Sequence, residues 1–175
     1  MEFEYEVRVP KDRIAVLIGK KGEIKKKIQQ ALKVKIKIDS KEGDVIIKGE
    51  DSLECMQAEN VIKAIARGFS PEIAVDLLKE DYAFEILDLT DLVGKQKNRI
   101  ERVRARVIGT QGKAREHLEK ITQVRIAIYG KTVSMIGEFE DVRIARRAME
   151  ALINGSQHQT VYMWIEKQKK KLMQR

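Results

Sequence analysis

Ile18-Gly19-Lys20-Lys21-Gly22 and, 90 positions further on, Ile108-Gly109-Thr110-Gln111-Gly112 decide how this chain is read. Each Gly-x-x-Gly is preceded and followed by a stretch with an apolar stripe. The same offset carries Val34-Lys35-Ile36-Lys37-Ile38 onto Val124-Arg125-Ile126-Ala127-Ile128. A lone Gly-x-x-Gly is as readily a tight turn between two helices as a ligand site. Two copies in register, each with a helix on both sides and an alternating strand behind, indicate a duplicated unit.

Working outward from the loops gives the same element order twice. Phe3, Tyr5, Val7 and Val9 alternate with charged residues and predict a strand stopped by Pro10. A short helix capped by Asp12 and carrying Ile14, Leu17 and Ile18 leads into the first loop. A second helix runs from Glu23 to about Leu32. Strands over 34–38 and 45–48 follow, and then a third helix whose stripe is Leu53, Met56, Ala58, Val61, Ile62 and Ile65. Ser70-Pro71-Glu72 opens a linking helix that reaches about Lys79. In the second half the spacing predicts a strand over 82–89, helices over 97–108 and 113–121, strands over 124–129 and 132–136, and a helix over 141–153. A basic helix over 157–175 follows, with Val161, Trp164, Ile165 and Leu172 inward. The expected architecture is α+β: two βααββα units over 1–79 and 80–175, each a three-stranded antiparallel sheet with helices on one face.

The 175 residues carry 35 Lys and Arg against 27 Asp and Glu, a formal net charge of +8, which favours anionic partners. Residues 11–37 hold ten basic and two acidic side chains, and residues 95–125 hold ten and three, so positive charge gathers around the two loops. Acidic residues concentrate in 39–59, 72–91 and 138–150. Three Asn, one Cys and abundant Lys and Glu lean toward a heat-adapted protein. The lone Cys55 can form no intrachain disulfide and sits in an apolar-periodic stretch, where burial is expected. The acidic, alternating N-terminus is unlike a signal peptide, and no apolar run approaches the ~20 residues that span a bilayer. A cytoplasmic location and no membrane partner are expected.

The loop pattern has a chemical purpose. Glycine lets a phosphate approach the main chain closely. The second glycine opens a helix, whose unpaired N–H groups and positive dipole end attract an anion. The two middle residues project into solvent. A loop of this kind clamps about four nucleotides of a single strand in the KH arrangement. In the first unit the candidate RNA-binding residues are Gly19, Lys20, Lys21, Gly22, Lys25 and Lys37. In the second they are Gly109, Thr110, Gln111, Gly112, Lys113, Arg115, Arg106 and Arg125. Because Thr110 and Gln111 are neutral, the second loop must recruit charge from Arg106, Lys113 and Arg115. Arg125, on an edge strand, is placed to touch a base edge or a phosphate.

Nothing comparable supports catalysis. His117 and His158 are the two histidines, and with one Cys they make no convincing zinc site. Glu85, Asp88 and Asp91 are close in sequence, but Glu85 and Asp88 fall on opposite faces of a strand. No cofactor, metal site or catalytic residue is expected.

With the repeats placed, the chain resembles the KH-domain RNA-binding proteins throughout, with type I βααββα units. The second half is more specific. The segments 106–122, 125–130, 133–137, 144–148 and 152–155, with Val161-Tyr162, resemble the KH ribosome-assembly factors shared by archaea and eukaryotes, the Dim or partner-of-Nob family. That resemblance implies binding near the 3′ end of small-subunit ribosomal RNA, assistance to the endonuclease that trims it, and contact with the alpha subunit of archaeal initiation factor two. Lys25 and Arg115 stand where the common KH pattern has Ile, which suits this branch better than the messenger-RNA-binding KH proteins. Two alternatives stay open: a general KH adaptor for messenger RNA or an exosome, and a KH repeat that serves as a protein-interaction module.

Overall fold

Each half of the chain closes around an antiparallel three-stranded sheet whose central strand is the last of the three in sequence. The structure, a computed structural model, describes residues 1–175 and divides into two units, Met1–Glu80 and Asp81–Arg175.

In the first unit, β1 (Phe3–Arg8) and β2 (Lys35–Ile38) flank β3 (Asp44–Gly49). Alternation puts Val7, Ile36, Val45 and Ile47 on the helix-covered face. Above them lie α1 (Lys11–Ile18), α2 (Glu23–Leu32) and α3 (Ser52–Ala66). These helices bury Ile14 and Leu17, Ile28 and Leu32, and Ala58, Val61, Ile62 and Ile65. Each fully buried Leu or Ile contributes roughly 1.5–3 kcal/mol. Asp51 caps α3, accepting from the amides of Leu53 and Glu54 at 2.8 and 3.1 Å. Cys55 is buried, as its periodic position predicts.

Three local expectations fail. The α1 N-cap is Pro10, with no side-chain bond; Asp12 lies inside the first turn, favourable to the helix dipole without being its cap. Leu53 and Met56 are 57% and 45% exposed. They share a helix face with Asn60 and Lys63, whereas the face that meets the sheet runs through Cys55, Ala58, Ile62 and Ile65. The linking segment is no continuous helix: α4 (Pro71–Ala74) is one turn, followed by a 3₁₀ turn over Val75–Leu78.

In the second unit, β4 (Tyr82–Asp88) and β5 (Arg125–Tyr129) flank β6 (Thr132–Glu138). A one-turn helix that periodicity does not reveal, α5 (Leu89–Val93), leaves β4 directly. Asp88 starts it by accepting from the Thr90 amide at 2.9 Å and hydroxyl at 2.6 Å, and these bonds hold its carboxyl below the ordinary range. Then come α6 (Lys97–Ile108), α7 (Lys113–Thr122), α8 (Phe139–Ile153) and α9 (His158–Met173). Helix α9 packs on α7 and α8. It buries Val161 and Ile165, with Trp164 and Leu172 packed against the same core. Lys169 fixes it by donating to Asp141 at 2.5 Å and to the Thr122 carbonyl at 3.2 Å. No helix is long and apolar enough to cross a membrane.

An arginine in each first helix secures the end of the third. Arg13 donates from Nε to the Ile65 carbonyl and from Nη2 to the Phe69 carbonyl, both at 2.8 Å. Arg106 donates from Nε to the Leu152 carbonyl at 2.9 Å and from Nη2 to the Ser156 carbonyl. A helix leaves its last carbonyls short of partners, and each guanidinium fork bonds one of them together with a carbonyl of the segment just beyond the helix. Arg13→Ala or Arg106→Ala is expected to lower the stability of its unit by roughly 1.5–3 kcal/mol in urea unfolding. Lysine at either position should restore only part of that stability, since one ammonium cannot reproduce the fork.

Candidate nucleic-acid interface

The two loops are nearly superimposable in backbone terms. In each, the first glycine ends the preceding helix: Gly19 and Gly109 have φ of 76° and 75°, and their amides donate to Ala15 and Ala105 at 2.9 and 2.8 Å. A single 3₁₀ turn follows, in which Lys21 and Gln111 take left-handed φ of 56° and 57°. The second glycines, Gly22 and Gly112, are left-handed at 74° and hand over to α2 and α7.

The two glycines of each loop do different jobs. A Cβ on Gly19 would lie 2.5 Å from Ile24 Cγ1 and 2.9 Å from its amide nitrogen. One on Gly109 would lie 2.6 Å from Ala114 Cβ and 2.8 Å from the Ala114 nitrogen. The first glycine is therefore consumed by the close approach of the next helix. Around Gly22 and Gly112 there is nothing within 4 Å of such a Cβ, so the open side of the loop, where a phosphate can come up to the main chain, lies at the second glycine.

Behind each loop the edge strand is tied to the second helix by one side chain. Gln29 Oε1 accepts from the Ile36 amide at 2.8 Å, and Glu119 Oε2 accepts from the Ile126 amide at 2.9 Å. Gln29 and Glu119 are 90 residues apart, the repeat offset, and that match is visible in the sequence although residue type alone gives neither a role. The difference between amide and carboxylate governs the charges nearby. Glu119 also accepts from Arg115 Nη1 at 2.9 Å and pairs with Arg125 Nε at 3.4 Å. Arg115 reaches the Ile126 carbonyl at 3.3 Å as well. In the first unit the neutral Gln29 makes no such demand.

The expected residues therefore sort by availability. Lys20 and Lys21 are exposed in the first loop, Lys37 is exposed on β2, and Lys25 is half-buried on α2; none forms an ion pair. Thr110, Gln111 and Lys113 are exposed at the second loop. Arg115 and Arg125 lie beside that loop's helix and edge strand, both engaged with Glu119. Arg106 stands apart: its guanidinium is committed to the end of α8, so the expectation that it supplies charge to the second loop is set aside. Both histidines and Glu85 also have structural partners. His117 meets Tyr162 edge-on with ring centres 4.4 Å apart, and His158 Nε2 lies 2.9 Å from the Arg106 carbonyl. Glu85 pairs with Arg146 at 2.6 Å.

The division of labour between the glycines is measurable. Gly109→Ala must displace α7 and also strains a left-handed φ, whereas Gly112→Ala strains φ alone, a cost of roughly 1–2 kcal/mol. Thermal unfolding is expected to show a clearly larger destabilisation for Gly109→Ala, and equal effects would contradict the assignment.

Comparison with known proteins agrees with this geometry. Residues 4–64 match the family described as KH domain, and residues 83–170 match the one described as Eukaryotic type KH-domain (KH-domain type I). A KH domain-containing protein of Methanocaldococcus jannaschii is 41% identical over 170 residues, 95% of this chain and 74% of that protein. RNA-binding protein pno1 of Dictyostelium discoideum is 28% identical over 162 residues, 90% of this chain and 68% of its own length. The Pre-rRNA-processing protein PNO1 of Coccidioides immitis is 28% identical over 165 residues, 90% of this chain and 64% of its own length. Among solved structures, Dim2p in an a/eIF2alpha–aDim2p–rRNA complex from Pyrococcus horikoshii OT3 is 44% identical. It superposes with a TM-score of 0.90 over 97% of this chain and 96% of that one. Two KH units in tandem, each with its Gly-x-x-Gly loop, on a chain this similar to those relatives, place it: the chain belongs to the PNO1/Dim2 family of KH-domain proteins.

Proposed function

We propose that this protein is a non-catalytic single-stranded RNA-binding factor that acts in maturation of the 3′ end of small-subunit ribosomal RNA. The observation that carries the reading is the pair of matched loops. Each leaves open space over a left-handed second glycine at the start of a helix, with cations around it. An anionic strand with a flexible backbone fits that geometry, and unstacked bases can then reach the groove beside the edge strand. The RNA itself is suggested by the relatives, one named for pre-rRNA processing and one solved together with rRNA. The same complex makes the alpha subunit of initiation factor two a partner by analogy. The rRNA-trimming endonuclease is the other partner this role requires.

Within the site, Gly22 and Gly112 admit the sugar-phosphate backbone. Lys20, Lys21, Lys25 and Lys37 neutralise phosphates in the first unit, and Lys113, Arg115 and Arg125 do so in the second. Phosphate contacts position the strand and base contacts read it. Crosslinking the protein to cellular RNA should give a peak at the 3′ end of small-subunit rRNA. A scatter over messenger RNAs would instead make it a general KH adaptor.

Two variants probe the electrostatics. Replacing Lys20 and Lys21 together by Asp should leave the circular dichroism native, because both side chains are exposed, and should weaken RNA binding by about 1–3 kcal/mol, several-fold to a hundredfold. Unchanged affinity would mean that the first unit binds something other than RNA. Glu119→Gln should act the other way. It keeps an acceptor for the Ile126 amide, as Gln29 does for Ile36, while releasing Arg115 and Arg125 from their shared carboxylate. Affinity is expected to rise a few-fold and the salt dependence to steepen, read by titrating RNA at increasing ionic strength.

A further inference from the structure

Helix α6 is four residues longer at its start than α1, twelve residues against eight, although both end at the same glycine of the loop. The added turn is basic. Lys97, Glu101, Arg104 and Ile108 fall on one stripe, at successive spacings of four, three and four, and that stripe runs straight into Gly109. At its far end, Lys95, Lys97, Ile100, Glu101 and Arg104 face the β5–β6 turn, Gly130 and Lys131, across a surface pocket of about 290 Å³. Glu101 is the single carboxylate lining it. The Arg104 Nε is buried without a hydrogen bond.

The first unit has no equivalent. Ile14 stands where Arg104 stands and is buried in the core. The corresponding hairpin turn carries Asp39 and Glu42, with Asp44 beginning the next strand. Asp39 accepts from the amides of Lys41 and Glu42, so the turn itself is held together by a carboxylate. The first turn thus carries three carboxylates around Lys41, with Arg8 donating to the Glu42 carbonyl at 3.4 Å, whereas the second turn carries Lys131, which faces Asp88.

We propose that the second unit carries an additional nucleotide-binding pocket here, in which Lys95, Lys97, Arg104 and Lys131 hold a phosphate of the RNA beyond the stretch clamped by the Gly-x-x-Gly loop. The strand runs along α6 from Gly112 to the β5–β6 turn, so the second unit covers more nucleotides than the about four of a single KH clamp. Ile100 offers the pocket's apolar wall to the sugar or base. The first unit stops at its clamp, because α1 lacks the added basic turn and Ile14 is buried where Arg104 would stand. This rests on the RNA-binding reading and extends it to the length and polarity of the footprint.

The test uses the full chain with the first loop disabled by Lys20→Asp and Lys21→Asp, so that the second unit alone is read. Fluorescence anisotropy is measured with single-stranded RNAs lengthened one nucleotide at a time from either end of a core about as long as the clamp. Affinity is expected to keep rising past the core on one side only. Adding Lys97→Glu and Lys131→Glu, both at exposed positions, should abolish that further rise, weakening binding about tenfold on the long RNAs and not at all on the shortest. The logarithmic salt slope on the long RNAs should fall by roughly 0.7 for each phosphate that the variant no longer neutralises. An equal weakening on every length, or unchanged binding of the long RNAs with native circular dichroism, would overturn the extended track while leaving the clamp intact. Failure of the unmodified chain to bind any of these RNAs would overturn the RNA-binding reading and the pocket with it.

Discussion

The position that everything else leans on is the first glycine of each loop. Gly19 and Gly109 need a positive φ, and they also leave no room for a Cβ because the next helix passes directly over them. That close approach lets α2 and α7 restart after only the four residues of the loop, so two helices cover one sheet face with a sharp corner between them. The corner in turn presents the second glycine outward at the start of a helix. Loop geometry and core packing are therefore one constraint. The open face at the second glycine, which the proposed clamp uses, exists because the other side of the same loop is closed by Ile24 or Ala114.

Around that shared frame the two units diverge in how their charges are held. A single difference, Gln29 against Glu119, leaves the strand-capping bond in place and changes the electrostatics of the groove. The first unit presents lysines with no ion-pair partner, mobile point charges suited to phosphates in more than one pose. The second presents Arg115 and Arg125 pre-oriented on a carboxylate. Their guanidinium planes start closer to a fixed geometry, with their charge partly neutralised. The first arrangement favours attraction of any anionic strand, and the second favours one that fits. The arginine staples from α1 and α6 lie behind both, holding the third helices by their last carbonyls, so the sheet and its grooves rest on helices whose ends are satisfied.

Much of this is legible from residue order. The duplicated Gly-x-x-Gly, the alternation in 34–38 and 124–128, and the helix stripes are local signals. Turn chemistry and side-chain periodicity act within a few residues and need no partner from elsewhere. The same local logic places Lys20, Lys21, Thr110 and Gln111 on exposed loops. It misplaces Leu53 and Met56, because apolar character alone does not say which side of a helix meets the sheet. It also overlooks α5, too short to show a period and fixed by the Asp88 side chain.

Folding alone settles which charges are free. Arg106 reads in sequence as one more cation beside a phosphate loop, yet its partners are carbonyls 46 and 50 residues away. Arg115 and Arg125 look equally available until Glu119 is seen between them. Arg104 looks like ordinary surface charge on an amphipathic helix until the β5–β6 turn closes a pocket against it. Residue order determines where a charge sits along its own helix or strand. Whether that charge meets a carbonyl, a carboxylate or open solvent depends on segments brought together only by folding, because Coulomb attraction and hydrogen bonding act over a few ångströms of space regardless of separation along the chain.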